Sequence, residues 1–355
     1  MGSVWGRYFK VTTFGESHGE ALGAVVDGLP PGVAVDRESI QAELDRRRPG
    51  TSALVSPRRE PDRVRILSGV KDKLSLGSPV ALLIENKDKR SSDYAPLSRL
   101  FRPGHADYTY YKKYGLAPQP GGGRASGRET VGRVAAGALA KAYLSPLGMD
   151  IRACTVRIGP LAAQRIEPGF AESDPLRFAD PDLAGKAAAL VEEALAQGDS
   201  LGGLIRVLIT GAPPGLGDPV FDKLEARLGG AMLSLGAVKG VEFGAGFALA
   251  GMRGSEANDP LTPDGFSSNN AGGTLGGIST GQKIVMRLAV KPTSSIAREQ
   301  STIDLEGRSA TIRVQGRHDP CLCPRICPVA EAMAWIVAAD AYLERRAHQP
   351  LNQEK

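Results

Sequence analysis

The stretch that decides how this chain reads runs from Phe101 to Leu144. It opens Phe101-Arg-Pro-Gly-His105-Ala-Asp-Tyr, continues Gly121-Gly-Gly-Arg124-Ala125-Ser126-Gly127-Arg128-Glu129-Thr130, and closes in a long apolar-periodic segment. Val131, Val134, Ala135, Ala138, Leu139 and Ala142 recur at three- and four-residue steps, which predicts a helix with one buried face. Ser126 followed three residues on by Glu129 is a capping box, so the helix is predicted to start there. Ahead of the cap lie three glycines, and Arg124 and Arg128 flank it. A helix N-terminus offers unpaired N–H groups and the positive end of the dipole. Glycine lets an anion approach the backbone closely, and two guanidiniums can clamp it. A plain capped helix after a flexible loop would read the same way, so the rest of the chain has to decide.

Upstream, Tyr8 to Phe14 is β-branched and aromatic and reads as a strand; Leu22 to Leu29 reads as a second. Between them Gly15-Glu-Ser17-His18-Gly19 forms a glycine-bracketed turn, the kind of loop on rigid strands where reactive groups are often placed. Asp36 to Arg48 reads as a helix with Ile40 and Leu44 inside, started near Asp36 or Ser39 and closed by Arg46-Arg47-Arg48 and Pro49-Gly50. One or two of those arginines complement the helix dipole; three before a sharp stop also look like a presented anion site. Arg63 to Ser68 and Pro79 to Glu85 are further strands, and 86–98 is a polar loop.

Downstream, strands are predicted over Asp150 to Ile158, Leu204 to Thr210, Val241 to Leu249 and Lys283 to Val290. Helices are predicted over Leu183 to Ala196, Phe221 to Leu235 and Val329 to about Arg346. A second glycine-rich region from Gly254 to Gly281, with Asn258, Asp259, Ser268 and Asn270, suits a phosphate or polar heterocycle. It fits neither the Walker spacing nor the strand-linked dinucleotide fingerprint.

Composition narrows the class. With 355 residues, 42% of them hydrophobic and 23% charged, the chain is long enough for a large core and is not disordered. Its 44 glycines and 25 prolines are spread as turn punctuation, and no linker or internal repeat divides it. Residues 1–355 are therefore read as a single large domain with a polar tail from about 347. Net charge is +5, and aromatics are only 5%, which argues against a basic stripe with stacking platforms for nucleic acid. Arginine is instead clustered at Arg46–Arg48, Arg58–Arg59, and Arg124 with Arg128, which suits a small, multiply anionic ligand.

The start has no apolar signal-peptide core, and no run reaches the roughly 18 apolar residues of a membrane span. The expectation is a cytoplasmic protein that engages neither membrane nor nucleic acid. Cys154, Cys321, Cys323 and Cys327 are too sparse for a disulfide framework and lack paired zinc-ligand spacing, so reduced thiols and no metal are expected. Of the four histidines, His18, His105 and His318 lie in short turns beside Ser, Asp or Arg, and only His348 lies in the tail. Histidine is the usual proton carrier near neutral pH, and no nucleophile elbow surrounds Ser17. Residue chemistry alone thus reaches an enzyme acting on a small polyanion by histidine proton transfer.

Gly15-Glu-Ser-His-Gly19 with Val26-Asp27-Gly28, Arg102-Pro-Gly-His-Ala-Asp107, Gly122-Gly-Arg-Ala-Ser-Gly-Arg-Glu-Thr130 and Gly316-Arg-His-Asp-Pro320 together resemble the chorismate synthases. The resemblance runs from about Gly6 to Leu343, in one order and with matching spacing. It implies an α+β fold, a helical layer sandwiched between antiparallel β-sheets, assembled as a homotetramer. It also implies elimination of phosphate from 5-enolpyruvylshikimate 3-phosphate to give chorismate, with reduced FMN required although there is no net redox change.

Carried onto this sequence, the resemblance makes His18 and His105 the paired catalytic histidines and joins Asp319 to Ser17 as a proton relay. It places Arg47, Arg102 and Arg128, with Arg317, around the phosphates of substrate and flavin. FMN contacts fall on Arg124, Ala125 and Ser126, on Gly236, Ala237 and Gly276, on Lys291, Pro292, Thr293, Ser294 and Ser295, and on Arg317. Asn258 and Asp259 lie in a nearby family loop. The chain shows no evident reductase segment, so an external flavin reductase is expected, with NADPH contributing only indirectly. Ala53, Ala125, Gly127, Gly236, Cys323 and Cys327 depart from the usual pattern and are expected to weaken cofactor or substrate affinity. Two other readings compete: a flavin enzyme with net redox turnover on another phosphorylated acid, and a non-catalytic polyanion-binding protein.

Overall fold

The computed structural model describes residues 2–50, 54, 60–87, 99–117, 119–314 and 319–348. Ala53, Arg58, Arg59, Gly316, Arg317 and His318 lie outside the described residues. The first sheet contains β1 (Val4–Trp5), β2 (Lys10–Phe14), β3 (Ala21–Asp27), β4 (Val64–Ile66) and β5 (Val80–Glu85). Its spatial order is β1-β2-β3-β5-β4, with antiparallel neighbours throughout. The second contains β6 (Asp150–Ile158), β7 (Leu161–Ala162), β8 (Gly203–Thr210), β9 (Val238–Phe243) and β10 (Ile284–Val290). Its order is β9-β10-β8-β6-β7, again antiparallel. Residues alternate across each strand: Val80, Leu82 and Ile84 of β5, and Ile284, Met286, Leu288 and Val290 of β10, all point into the core.

Between the sheets lie α1 (Arg37–Arg47), α3 (Thr130–Leu144) and α6 (Cys323–Ala347), while α2 (Asp107–Tyr114), α4 (Ala184–Ala196) and α5 (Leu224–Leu233) complete the principal helices. Helix α3 packs on the first sheet and on α6, and α6 packs on the second sheet. The helices approach closely because α3 is alanine- and glycine-rich; a Cβ on Gly137 would lie 2.5 Å from that of Ala332. One contiguous core of buried side chains runs through both sheets and the helical layer. The α+β sandwich expected from the sequence is the observed fold.

Several boundaries differ for physical reasons. Helix α6 begins at Cys323 rather than Val329, because Pro324 sits in the first turn, where its missing N–H costs nothing. It is long and apolar enough to cross a membrane, yet 89% of its most apolar window is buried in this chain's own core. The capping box does not close: Ser126 Oγ accepts from Arg128 N at 3.3 Å, but Glu129 turns to Arg133 at 2.9 Å. A single 3-10 turn over Gly127–Glu129 therefore precedes α3. The strand expected at Val241 to Leu249 is β9 instead, ended by Gly244 and Gly246 at positive φ. Helix α2 and the hairpin of β11 (Glu299–Ile303) with β12 (Ser309–Arg313) carry no clear apolar period and were not expected.

Candidate active site

The β2–β3 turn delivers Ser17 and His18, whose Oγ and Nδ1 lie 3.1 Å apart. The loop before α2 delivers His105. Both imidazoles rest on the glycine run: a Cβ on Gly121 would meet His18 Cε1 at 2.2 Å, and one on Gly122 would meet His105 Cε1 at 2.9 Å. Both glycines have positive φ, 64° and 89°, so the floor needs glycine for its backbone as well as for space. Asp107 Oδ1 lies 2.8 Å from His105 Nδ1, and Arg102 grips the same carboxylate through Nε at 2.6 Å and Nη2 at 2.7 Å. Arg102 Nη2 is also 3.1 Å from His105 Nδ1, but that nitrogen cannot both accept from arginine and donate to aspartate. Donation to the carboxylate is the favourable choice; it fixes the tautomer and leaves Nε2 for chemistry beside Gly122. Burial opposes the Asp107 charge, but the hydrogen bonds from Arg102 and His105 outweigh it and hold this carboxyl well below the usual range.

Next to this pair lies a buried arginine cluster. Arg47, 1% exposed at the end of α1, donates through Nη2 to Asp62 Oδ2 at 2.9 Å and through Nη1 to Thr130 Oγ1 at 3.2 Å. Arg128 donates to the other oxygen of Asp62 and, through Nε, to Asn86 Oδ1 at 2.9 Å. Arg325, in the first turn of α6, donates to Asp319 Oδ2 at 2.6 Å. Burial pulls the Arg47 guanidinium down to about 10; Asp62 partly offsets this, and Arg325 and Arg128 add to it. Arg47 Nε, Arg128 Nη2 and Arg325 Nε are all buried with no hydrogen-bond partner among the described residues. Arg128 Nη2 does face Glu60 Oε2, at 3.6 Å; Arg47 and Arg128, held side by side on Asp62, can take oxyanion oxygens. Arg46 faces the other way, onto Glu43, Glu172 and Glu331, and anchors α1 to α6.

The segment Lys291–Ser295 straps the two halves together. Lys291 Nζ and Ser294 Oγ donate to Gly104 O at 3.1 and 3.0 Å, while Thr293 Oγ1 donates to Asp319 O at 2.8 Å. Burial, with Lys239 nearby, pulls the Lys291 amine below its usual range. Lys291 N donates to Ala237 O at 2.9 Å, which brings Gly236 and Ala237 alongside the strap. Arg124 spends its guanidinium on Gly15 O and Thr13 Oγ1, bracing the turn that carries His18. Ser126 caps the turn ahead of α3.

Gly276 is not brought to this group. The neighbouring Gly273 meets Lys283 and Ile284 at the start of β10, whereas Lys291 follows its end, about 20 Å away for a seven-residue strand. Asp259 organises that distant loop by accepting from Asn270 N and Ala271 N at 2.7 and 2.8 Å. All four cysteines are buried and unpaired, and burial pushes the Cys327 thiol well up.

Sequence reasoning did not single out Asp62, Asn86, Thr130 or Arg325. Asp107 stood two residues from His105 in the quoted stretch, and that spacing was a usable signal. Arg325 was hidden in a segment read for its cysteines. Beside the glycine floor opens a cavity of about 300 Å³, lined by Tyr110, Tyr114, Leu116, Arg124 and Ala125 and touching Asp107.

Two imidazoles on a glycine floor, beside under-partnered buried guanidiniums, define an acid–base enzyme for a small polyanion. Residues 9–343 match the family described as chorismate synthase. The chain is 52% identical over 351 residues to the chorismate synthase of Syntrophus aciditrophicus (strain SB), covering 98% of this chain and 99% of that one. It is 54% identical over 348 residues to that of Nitratidesulfovibrio vulgaris (strain DSM 19637 / Miyazaki F), covering 97% and 99%. A crystal structure of chorismate synthase superposes with a TM-score of 0.76 at 33% identity, over 96% of this chain and 93% of that one. The chain belongs to the chorismate synthase family, lyases of the shikimate pathway. Neither a net-redox flavin enzyme nor a non-catalytic polyanion binder finds support in these matches.

Proposed function

We propose that this chain eliminates phosphate from 5-enolpyruvylshikimate 3-phosphate, breaking the C–O bond to phosphate and releasing the C6 proton to form the second double bond of chorismate. The observation that carries the reading is the pair His18 and His105 on the glycine floor, next to guanidiniums with unused buried N–H groups. The substrate bears two carboxylates and a phosphate, and Arg47, Arg102 and Arg128 take these oxyanions. Leaving phosphate gains negative charge as its bond breaks, and guanidiniums fixed in a dry site stabilise that charge without reorganising. His105, its Nδ1 engaged by Asp107, presents Nε2 for proton transfer; His18, steadied by Ser17, presents the second imidazole. Asp319 and Ser17 relay the proton taken from C6.

Reduced FMN fits the residues present. The cavity of about 300 Å³ has aromatic and apolar walls suited to a flat ring system and polar groups at its rim. Arg124, Ala125 and Ser126 would hold the ring, and Gly236, Ala237 and Lys291–Ser295 the remainder, with Arg317 and Gly276 assigned from the family alone. Bound there, reduced FMN would supply the transient electron density that makes phosphate departure from the allylic system feasible. An external flavin reductase supplies the reduced form, so NADPH acts only indirectly. The assembly is a homotetramer, supported by exposed apolar side chains such as Phe221 and Phe247, 94% and 82% accessible in the single chain. A cytoplasmic location accords with the reaction's place in primary biosynthesis.

The test is anaerobic incubation with substrate and chemically reduced FMN, following chorismate absorbance and phosphate release. Many products per flavin are expected. Consumption of one reduced flavin per product would refute the elimination, and NADPH with oxidised FMN should support turnover only after a reductase is added.

A further inference from the structure

We propose that Arg325 is a positioning residue for Asp319, fixing the rotamer of its carboxylate. The inference rests on the relay role given to Asp319 above. Asp319 is 7% exposed, and its Oδ2 accepts from Arg325 Nη1 at 2.6 Å. The backbone around it is held without Arg325: Asp319 O accepts from Thr293 Oγ1 and Pro320 O from Leu201 N, both at 2.8 Å. What Arg325 adds is therefore the side chain's direction, not the course of the chain.

The location argues against a purely structural arginine. A cation in the first turn of a 25-residue helix lies at the wrong end of the dipole. It also lies near enough to Arg47 to oppose that guanidinium's charge. The Asp319 carboxylate, three residues ahead of the N-cap Leu322, is not a cap for α6 and is gripped by Arg325 instead. Arg325 Nε, moreover, is buried without a hydrogen-bond partner among the described residues. A fold that places a guanidinium against the dipole, near Arg47 and incompletely bonded, gives up stability there. Orienting a working carboxylate accounts for that expense, as functional sites commonly do.

The test is a double-mutant cycle on the full chain with substrate and reduced FMN, comparing Arg325→Gln, Asp319→Asn and the double variant. Arg325→Gln is expected to lower kcat about 10²-fold while the KM for substrate moves less than about threefold. Asp319→Asn is expected to lose at least as much, and the double variant to be no worse than Asp319→Asn alone. Arg325→Lys, which keeps one donor and the charge, should recover part of kcat. If Arg325→Gln does not fold, Arg325→Lys and its combination with Asp319→Asn close the same cycle. Losses that multiply in the double variant, or a change confined to KM, would overturn the proposal, the latter making Arg325 a direct anion anchor. If Asp319→Asn alone keeps full kcat, the relay reading of Asp319 fails first, and the Arg325 proposal with it.

Discussion

Replacing Gly121 by alanine tests the floor on which the two imidazoles lie. The added Cβ would sit 2.2 Å from His18 Cε1 and 2.5 Å from Nδ1. Carbon atoms begin to repel inside about 3.5 Å, so the ring must retreat by roughly 1.3 Å. A shift of about 1 Å in a catalytic group costs roughly 10²-fold in rate, which sets the expected loss of kcat. Alanine at a φ of 64° adds backbone strain, about 1–2 kcal/mol, which for a chain of this size lowers Tm by roughly 1–3 °C. Gly122→Ala meets His105 Cε1 at a milder 2.9 Å and should lose only about tenfold. The internal control is Gly127→Ala, in the same motif but with nothing within 4 Å and an ordinary φ. It should keep full kcat and gain up to about 1 kcal/mol of stability. The assay is steady-state chorismate formation with reduced FMN, alongside thermal melts. If Gly121→Ala keeps kcat within threefold, or if Gly127→Ala loses as much as Gly121→Ala, the floor is not what places the histidines.

His105→Ala should lower kcat about 10²- to 10⁴-fold, as for a lost acid–base group, and near-normal turnover would reduce His105 to a turn residue. Because the Asp107 carboxyl is held below its unfolded value, its stabilising effect is complete above about pH 4 and is lost as pH falls further. Asp107→Asn should therefore flatten the acid limb of stability below pH ~4 in equilibrium unfolding, and an unchanged limb would contradict the ion-pair account. Glu331→Ala removes the buried partner of Arg46 and the acceptor for Ala153 N. It should cost about 3–5 kcal/mol, read from chemical denaturation, and a loss under 1 kcal/mol would mean that pair does not anchor α1. If the chain assembles as proposed, Phe221→Ser should shift it toward smaller species in light scattering; an unchanged size would place the interface elsewhere.

How far the sequence carried depended on the kind of signal. Strands β5, β6, β8 and β10 and helix α3 were legible because each buries a regular apolar face, and period 2 or 3.6 survives in a single sequence. Helix α2 was not, since Asp107 is its only buried residue and its four tyrosines face partly outward. The start of α6 was misplaced because the segment from Cys321 to Cys327 was read as a turn, whereas the helix begins at Cys323 with Pro324 in its first turn and tolerates Pro328 inside it. Within the site, His18, His105 and Arg47 stood out because glycine turns and clustered arginine mark themselves. Asp62 did not: an aspartate in a polar stretch has no local signature, and its role appears only when α1 and the segment before α3 converge on it from 15 and 66 residues away. Motif spacing shows which residues are unusual, not which partners the fold will hand them.

Asp62 also explains how so basic a site can exist before its ligand arrives. Two guanidiniums placed side by side in a dry interior would repel and scatter, and each unpartnered buried donor costs about 1–3 kcal/mol. A single carboxylate solves half of this by taking Arg47 on one oxygen and Arg128 on the other, so both forks are held in fixed relation. Had the fold supplied an acceptor for every N–H, the arginines would be quiet structural residues and an incoming oxyanion would have to displace a protein group. In the proposed binding mode the ligand's oxygens complete the network at Arg47 Nε, which is buried with no hydrogen-bond partner among the described residues, instead of competing with a protein group. The desolvation cost is then already met in the folded chain, and what remains for binding is the favourable part of the interaction. Under the proposed reaction the same logic reaches the chemistry: donors fixed before the reaction begins would need no reorganisation as charge builds on the departing phosphate.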